Sequence, residues 1–200
     1  MMATKIKLCG LRSMADVRLA NEIQPDFAGV VLCRRFWRGV DFDLANAIRR
    51  TLHSHIPLVG VFVNDDFSTV MTALRRGVVD MVQLEGTESE TYIRDLMLYT
   101  GKPVIKGCNV TGPEVPDLVE RTAANYLLFS NLVDEPFDWN WIRHVQRPYI
   151  LSGGLNTENL PYALRELHPW GVDLSSGVET DCVKDPRKVH EAVDLVRSLG

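Results

Sequence analysis

The sequence predicts an α/β fold of the (β/α)8 TIM-barrel class, a single compact domain over residues 1–200, and three observations point to it. Short β-branched and apolar runs recur eight times along the chain, each about the length of a strand buried on both faces, as in a parallel sheet. Segments with helical i, i+3, i+4, i+7 spacing of apolar residues lie between them. Such alternation implies right-handed βαβ crossovers, and eight units suit a closed barrel better than an open doubly wound sheet.

The first run, Ile6–Cys9, is followed by Ser13 at an N-cap position. Phe27–Val31 is the second strand, and Leu44, Ala47, Ile48 and Leu52 mark the helix after it. Leu58–Val63 precedes a helix carrying Val70, Ala73 and Leu74. Met81–Leu84 and Val104–Gly107 are the fourth and fifth strands, and Val115, Leu118 and Val119 then keep helical spacing. Tyr126–Phe129 is the sixth, with only a short, poorly patterned segment near Trp139–His144 to follow it. Tyr149–Ser152 is the seventh, and Asn156 is placed to open a helix through Leu160, Ala163, Leu164 and Leu167. Val172–Leu174 completes the set. Asp185 then caps the last helix, of Val189, Ala192, Val193 and Val196, with Pro186 at its first position.

A content of 46% hydrophobic and 24% charged residues fits an ordinary globular chain able to bury a substantial core. The net charge of −4 and the absence of any Lys/Arg block argue against a nucleic-acid surface or a polybasic membrane patch. A small anionic ligand stays compatible, because a local site can be positive on an acidic protein. The opening "MMATKIKLCG" lacks a basic region followed by an apolar run of about 7–15 residues, and Leu58–Val63 is too short to span a bilayer, so a cytoplasmic location is expected. Cys9, Cys33, Cys108 and Cys182 show neither CxxC spacing nor the density of a disulfide scaffold and read as reduced thiols.

Barrels of this class carry their chemistry at the C-terminal ends of the strands. In strand order those ends offer Cys9; Cys33, Arg34 and Arg35; Asn64, Asp65 and Asp66; Glu85; Lys106, Cys108 and Asn109; Ser130 and Asn131; Gly153 and Gly154; and Asp173, Ser175 and Ser176. Two loops agree on one ligand. "ILSGGLNTEN" sets Gly153 and Gly154 after strand seven, and "GVDLSSGVE" sets Ser175, Ser176 and Gly177 after strand eight. Amides freed by glycine and aimed by a helix N-terminus suit a phosphate dianion, and these are the loops that hold phosphate in many such barrels. A tight turn would explain either loop alone, but not the pair.

Cys9 admits two readings of comparable weight: a thiolate base, if its pKa is lowered by a cation or helix N-terminus, or an inert small hydrophobe. Cys9, Cys33 and Cys108 lack the spacing of a thiolate metal motif and have no histidine beside them at the strand ends, so no metal is expected. "CRRFWRGVDFD" places Arg34, Arg35 and Arg38 beside Phe36 and Trp37. Arginine with aromatic neighbours suits an aromatic carboxylate, while Arg34 and Arg35 read as a solvated basic loop.

Taken together, "KLCGL", "VGVFVN", "MVQLEG", "PVIKG", "FDW", "ILSGGLNTEN", "GVDLSSGVE" and "KDPRKV" resemble, in order and spacing, the phosphoribosylanthranilate isomerase family of tryptophan biosynthesis. The resemblance implies an intramolecular oxidoreductase of the aldose–ketose isomerase type, without metal or organic cofactor, acting on a small phosphorylated aminosugar as a monomer or homodimer. Its reaction is the Amadori rearrangement of N-(5-phosphoribosyl)anthranilate. An acid protonates the furanose ring oxygen, and a base removes the proton from C2 of the resulting Schiff base. By the same resemblance Cys9 is the general base, Arg38 binds the anthranilate carboxylate, Asp173 lies near the sugar, and Gly153, Gly154, Ser175, Ser176 and Gly177 cradle the phosphate.

The chain departs from the family at the acid. The family's sixth strand ends in a Tyr-Leu-Leu-Asp type of run whose Asp is the general acid, and "YLLF" puts Phe129 in that place. The Gly-Gly-Thr-Gly-Lys segment before "FDW" is the shorter "LVDEP", the family's His-Gly-Asp after strand four is Glu85-Gly86-Thr87, and Phe36-Trp37 stand where Ser-Pro is usual. Glu85, with its pKa raised by an apolar wall, or Asp134 in the loop after strand six, is the expected substitute. Ser130 and Asn131 can hold a water but are not effective acids. The alternative expectation is a phosphosugar-binding barrel that is a pseudoenzyme or acts on a related aminoaldose phosphate.

Overall fold

A computed structural model describes residues 3–33, 35–113, 118–130 and 137–200. Eight parallel strands, β1 (Lys5–Leu8), β2 (Phe27–Val31), β3 (Leu58–Phe62), β4 (Met81–Leu84), β5 (Val104–Asn109), β6 (Tyr126–Ser130), β7 (Tyr149–Leu151) and β8 (Gly171–Leu174), pair in sequence order, and β8 returns to β1 to close the barrel. Around it stand α1 (Met14–Ile23), α2 (Phe42–Thr51), α3 (Phe67–Arg75), α4 (Glu90–Thr100), the short α5 (Leu118–Arg121), α6 (Leu160–Leu167) and α7 (Pro186–Leu199). Between β6 and β7 lies a single 3-10 turn, Trp139–Ile142, where the sequence pattern was also weakest. A two-stranded hairpin, β9 (Glu179–Thr180) with β10 (Val183–Lys184), sits between β8 and α7. No helix among the described residues is long and apolar enough to cross a membrane.

Strand geometry sends successive side chains to opposite faces, so each strand feeds two separate cores. Inside the barrel, β3 to β7 contribute one residue each to a layer of Val59, Met81, Ile105, Leu128 and Ile150. Below it Tyr126 stacks on Trp170 at 4.7 Å between ring centroids, with Phe27 at their edge. The other face packs against the helices: Ile6, Leu8, Ala28, Val30, Leu58 and Phe62 meet Val17, Ile48, Val70 and Val193 in the large outer core.

The structure corrects three expectations. Phe129 belongs to the outer core and meets the edge of Tyr149 at 5.2 Å, so the β6 residue that faces the barrel mouth is Ser130. Cys108 also lies in the outer core, and Lys106, two residues before it, shares that direction, so neither stands at the mouth. Asn156 does not open the helix. Its Oδ1 accepts from the N–H groups of Glu158 (2.9 Å) and Asn159 (3.2 Å), forming a turn, and α6 begins after Asn159. Arg34, Val115, Asn131 and Asp134 fall outside the described residues.

The caps read from the sequence hold the outer ring. Ser13 Oγ accepts from Asp16 N (3.1 Å) while Asp16 Oδ2 accepts from Ser13 N (3.0 Å), a reciprocal capping box. Asp185 Oδ1 accepts from Arg187 N (3.0 Å) and Lys188 N (3.4 Å) ahead of Pro186. Replacing Ser13 by Ala is expected to cost about 1 kcal/mol. Urea unfolding should show a lower midpoint at unchanged slope, and an unchanged midpoint would mean the box adds nothing to stability.

Candidate active site

The C-terminal ends of β1, β2, β3, β4, β6, β7 and β8 surround a cavity of about 360 Å³, within the ~300–1,000 Å³ usual for small-molecule sites. Cys9 comes from β1, Gln83 and Glu85 from β4, Ser130 from β6, Ser152 to Gly154 from β7, and Asp173 to Ser176 from β8. Trp37 and Arg38, from the loop after β2, lean over it. Cys9 is the one cysteine among the described residues of the wall.

One side of the cavity is a compact charged group. Lys7 and Asp173 form an ion pair of 2.8 Å with both side chains almost fully buried. Burial works against the Lys7 charge, but Asp173 and the neighbouring Cys9 outweigh it and hold the pKa above its ordinary value. Cys9 is pushed the other way from the expected thiolate. Burial raises its pKa, the Asp173 carboxylate adds to that, and Lys7 only partly offsets them, so the resting group is a thiol. Gly29 makes the room: a Cβ there would stand 2.8 Å from Cys9 Sγ and 3.3 Å from Lys7 Cε.

Two buried acceptors of the same wall, Asp173 Oδ1 and Gln83 Oε1, have no hydrogen-bond partner among the described residues. An unmet buried acceptor costs about 1–3 kcal/mol, and a donor brought by a ligand would relieve that cost here.

Glu85 faces the cavity from the end of β4, and Gln83 Nε2 donates to its Oε1 at 2.6 Å. Burial raises its pKa, outweighing that hydrogen bond and the attraction of Lys7 and Lys106. The result is a carboxyl group that holds its proton more tightly than an exposed glutamate. Gly107 on β5 leaves space for it, since a Cβ there would lie 2.2 Å from Glu85 Oε2.

Beside the cavity an apolar recess is walled by Val31, Val61, Val63, Phe36 and Trp37, with Arg38 and Glu85 at its margins. Arg38 lies over the Trp37 ring at 4.0 Å, and Arg12 lies over the same ring at 4.9 Å. Arg38 Nη2 donates to Glu179 Oε2 (2.8 Å) and Nε to Oε1 (3.4 Å), and Lys184 Nζ reaches Oε1 at 2.5 Å. Burial opposes ionisation of Glu179, yet these two cations together lower its pKa. Arg35 is exposed, in keeping with a solvated loop.

Gly153 and Gly154 adopt φ of 100° and 61°, a left-handed conformation that glycine enters without strain. Asn156 Nδ2 and Asn159 Nδ2 hold the Gly154 carbonyl at 3.3 and 3.0 Å. The chain after β8 turns through a 3-10 element, Ser176–Val178, and a Cβ on Gly177 would stand 2.1 Å from the Leu155 carbonyl oxygen. Only glycine lets the two loops abut. Lys184 Nζ, from the hairpin, donates to Ser175 O at 3.1 Å and ties this loop to Glu179.

Sequence reasoning therefore assembled Cys9, Glu85, Arg38, Asp173 and both glycine loops at one mouth. It missed Lys7, Gln83 and Glu179. Lys7 and Gln83 were embedded in "KIKLC" and "MVQLEG", where a polar residue inside an apolar strand was the available signal.

The model of the N-(5'-phosphoribosyl)anthranilate (PRA) isomerase family matches residues 6–195. An N-(5'-phosphoribosyl)anthranilate isomerase of Endomicrobium trichonymphae is 39% identical over 202 residues, covering 98% of this chain and 99% of the relative. Among solved structures, phosphoribosyl anthranilate isomerase from Thermus thermophilus superposes with a TM-score of 0.90 at 28% identity, covering 98% of this chain and 100% of that one. A phosphoribosyl anthranilate isomerase solved with reduced 1-(o-carboxyphenylamino)-1-deoxyribulose 5-phosphate gives 0.84 at 27% identity, covering 98% and 100%.

Glu179 supplies a pH test of the site. A carboxylate whose folded pKa is depressed adds stability that is fully present above its ordinary value of 4.5 and is lost as pH falls through the lower folded value. Wild type should therefore exceed Glu179→Gln in urea stability at pH 7, and the gap should close as the pH drops below 4.5. A gap independent of pH would show that the charge of Glu179 is not what binds Arg38 and Lys184.

Proposed function

The chain belongs to the N-(5'-phosphoribosyl)anthranilate isomerase family, and from that premise we propose that Glu85 and Cys9 are the acid and base with which it works. The protein is an isomerase of tryptophan biosynthesis, converting N-(5-phosphoribosyl)anthranilate to 1-(2-carboxyphenylamino)-1-deoxyribulose 5-phosphate. Residues 1–200 act as one domain, in the cytoplasm, as a monomer or homodimer. No metal or organic cofactor takes part.

The observation that carries the assignment is Glu85, a buried carboxyl with a raised pKa at the mouth that Cys9 also lines. Protonated Glu85 donates to the furanose oxygen, the ring opens, and the anthranilate nitrogen becomes a cationic Schiff base. That new cation joins Lys7 in favouring the thiolate of Cys9, which forms by release of the thiol proton to solvent water and then removes the proton from C2, giving an enol-amine that tautomerises to the aminoketose. Asp173 Oδ1 and Gln83 Oε1 accept from the sugar hydroxyls. The apolar recess takes the aryl ring, with Arg38 on its carboxylate and Trp37 at its edge. Gly153, Gly154, Ser175, Ser176 and Gly177 hold the phosphate, where the two loops meet.

Glu85→Gln and Cys9→Ala are each expected to lower kcat by about 10²–10⁴-fold in a fluorescence assay with freshly generated phosphoribosylanthranilate, whereas Asp134→Asn leaves it near wild type. Full turnover in Glu85→Gln would remove the acid assignment, and loss in Asp134→Asn would move it there. Absence of turnover in wild type, with a ribulose phosphate analogue still bound, would establish the phosphosugar-binding alternative.

A further inference from the structure

Glu85 does not stand at the mouth unaided. Lys106, on β5, turns away from the barrel interior, and its ammonium is buried under the turn that follows β4. Its Nζ donates to Leu84 O at 3.0 Å, to Gly86 O at 2.6 Å and to Glu88 Oε2 at 3.1 Å. Leu84 and Gly86 are the residues immediately before and after Glu85, so one ammonium grips the backbone on both sides of it.

Glu88 completes the grip. Its Oε1 accepts from Asn64 N (2.9 Å) and Gly86 N (3.2 Å), and Asn64 Oδ1 accepts in turn from Thr87 N at 2.7 Å. Asn64 holds φ at 54°, and a Cβ on Gly86 would lie 2.3 Å from its Oδ1, so the turn after β4 is fastened to the turn after β3 with no slack. Both Lys106 and Glu88 side chains are 2% exposed. A buried ammonium is retained only where its donors are met, and here all three reach acceptors. Two of the three are backbone carbonyls of the residues flanking Glu85, which a lysine placed for stability alone has no need to select.

We propose that Lys106, locked by Glu88, is a positioning residue that fixes Glu85 at the cavity wall by way of the turn it grips. The inference rests on Glu85 as the proton donor. Two layers of support converge on that carboxyl: the clamp behind the strand, and inside it the vacancy left by Gly107 together with the Gln83 amide. Lys106 has no contact with substrate in this role, so its loss acts on kcat through geometry and through the field at Glu85.

The test compares wild type, Lys106→Met, Glu88→Gln and Glu85→Gln, each checked for native circular dichroism. Infrared difference spectra identify the carboxylic C=O band of Glu85 by its absence from Glu85→Gln, and the band is then titrated with pH. Displacement by about 1 Å costs on the order of a hundredfold, so Lys106→Met is expected to lose about that factor in kcat with KM little changed. Its Glu85 band should also titrate at higher pH, because an attraction that holds the proton less tightly is gone. A folded Lys106→Met with wild-type kcat and an unmoved band would overturn the clamp. If that variant does not fold, Glu88→Gln decides: a lowered kcat and a moved band support the clamp, and wild-type values refute it. The failure of the acid assignment is separate, since it would appear as turnover in Glu85→Gln whatever the band in Lys106→Met does.

Discussion

Lys7 and Asp173 face each other across the β1–β8 pairing, the seam at which the sheet closes on itself, and bond at 2.8 Å. Two apolar side chains of similar volume would close a barrel at least as stably, because the desolvation of a buried pair commonly cancels its attraction. The pair makes sense as electrostatics. It occupies one oxygen of Asp173 and leaves Oδ1 facing the cavity unmet. It also surrounds Cys9 with a carboxylate that disfavours the thiolate and an ammonium that favours it. The site's response to a cation on the ligand is thus set at the same point where the fold is completed.

Space for these groups comes from absences. Gly29 on β2 and Gly107 on β5 supply no side chain at the level where Cys9, Lys7 and Glu85 project, and a Cβ there would press on Cys9 Sγ or on the Glu85 carboxyl. Barrel interiors are normally filled layer by layer with branched side chains, as they are here at Val59, Met81, Ile105, Leu128 and Ile150. One layer higher the packing is given up on two strands, and ionisable groups take the volume. The cost is paired charge and hydrogen bonding in place of apolar contact; the gain is a carboxyl and a thiol held rigidly in a single cavity.

The fold was legible because a parallel barrel writes its strands as apolar runs, and each of the eight runs became a strand of the barrel. The same property hid side-chain direction. In "YLLFS" both faces are buried, so no polar and apolar alternation reveals which residues look inward; the resemblance set Phe129 in the place of the acid, whereas Ser130, read at the strand end, lines the cavity. Helix α4 left a faint pattern, with only Ile93 and Leu96 fully buried among eleven residues. The β9–β10 hairpin turns through Asp181 and Cys182 at φ of 49° and 61° without a glycine, so Asp181 was the one weak turn signal it carried. Electrostatic partners such as Lys7 with Asp173 are 166 residues apart, and only closure of the barrel brings them together.

An order for the proposed chemistry follows from the burial of Glu85 and Cys9. Burial raises the pKa of both Glu85 and Cys9, which favours the protonated form of each and so favours a donor over a ready base. A thiolate formed early would sit beside the Asp173 carboxylate, with Lys7 and, more weakly, Lys184 to balance two anions. In the proposed reaction, proton donation by Glu85 changes that balance, because ring opening places a positive Schiff base in the cavity. Opposite charge at close range favours the ionised form of a thiol more strongly in a desolvated site than in water. In that proposed scheme acid chemistry prepares the base, and a ligand lacking the nitrogen that becomes cationic would leave Cys9 a thiol.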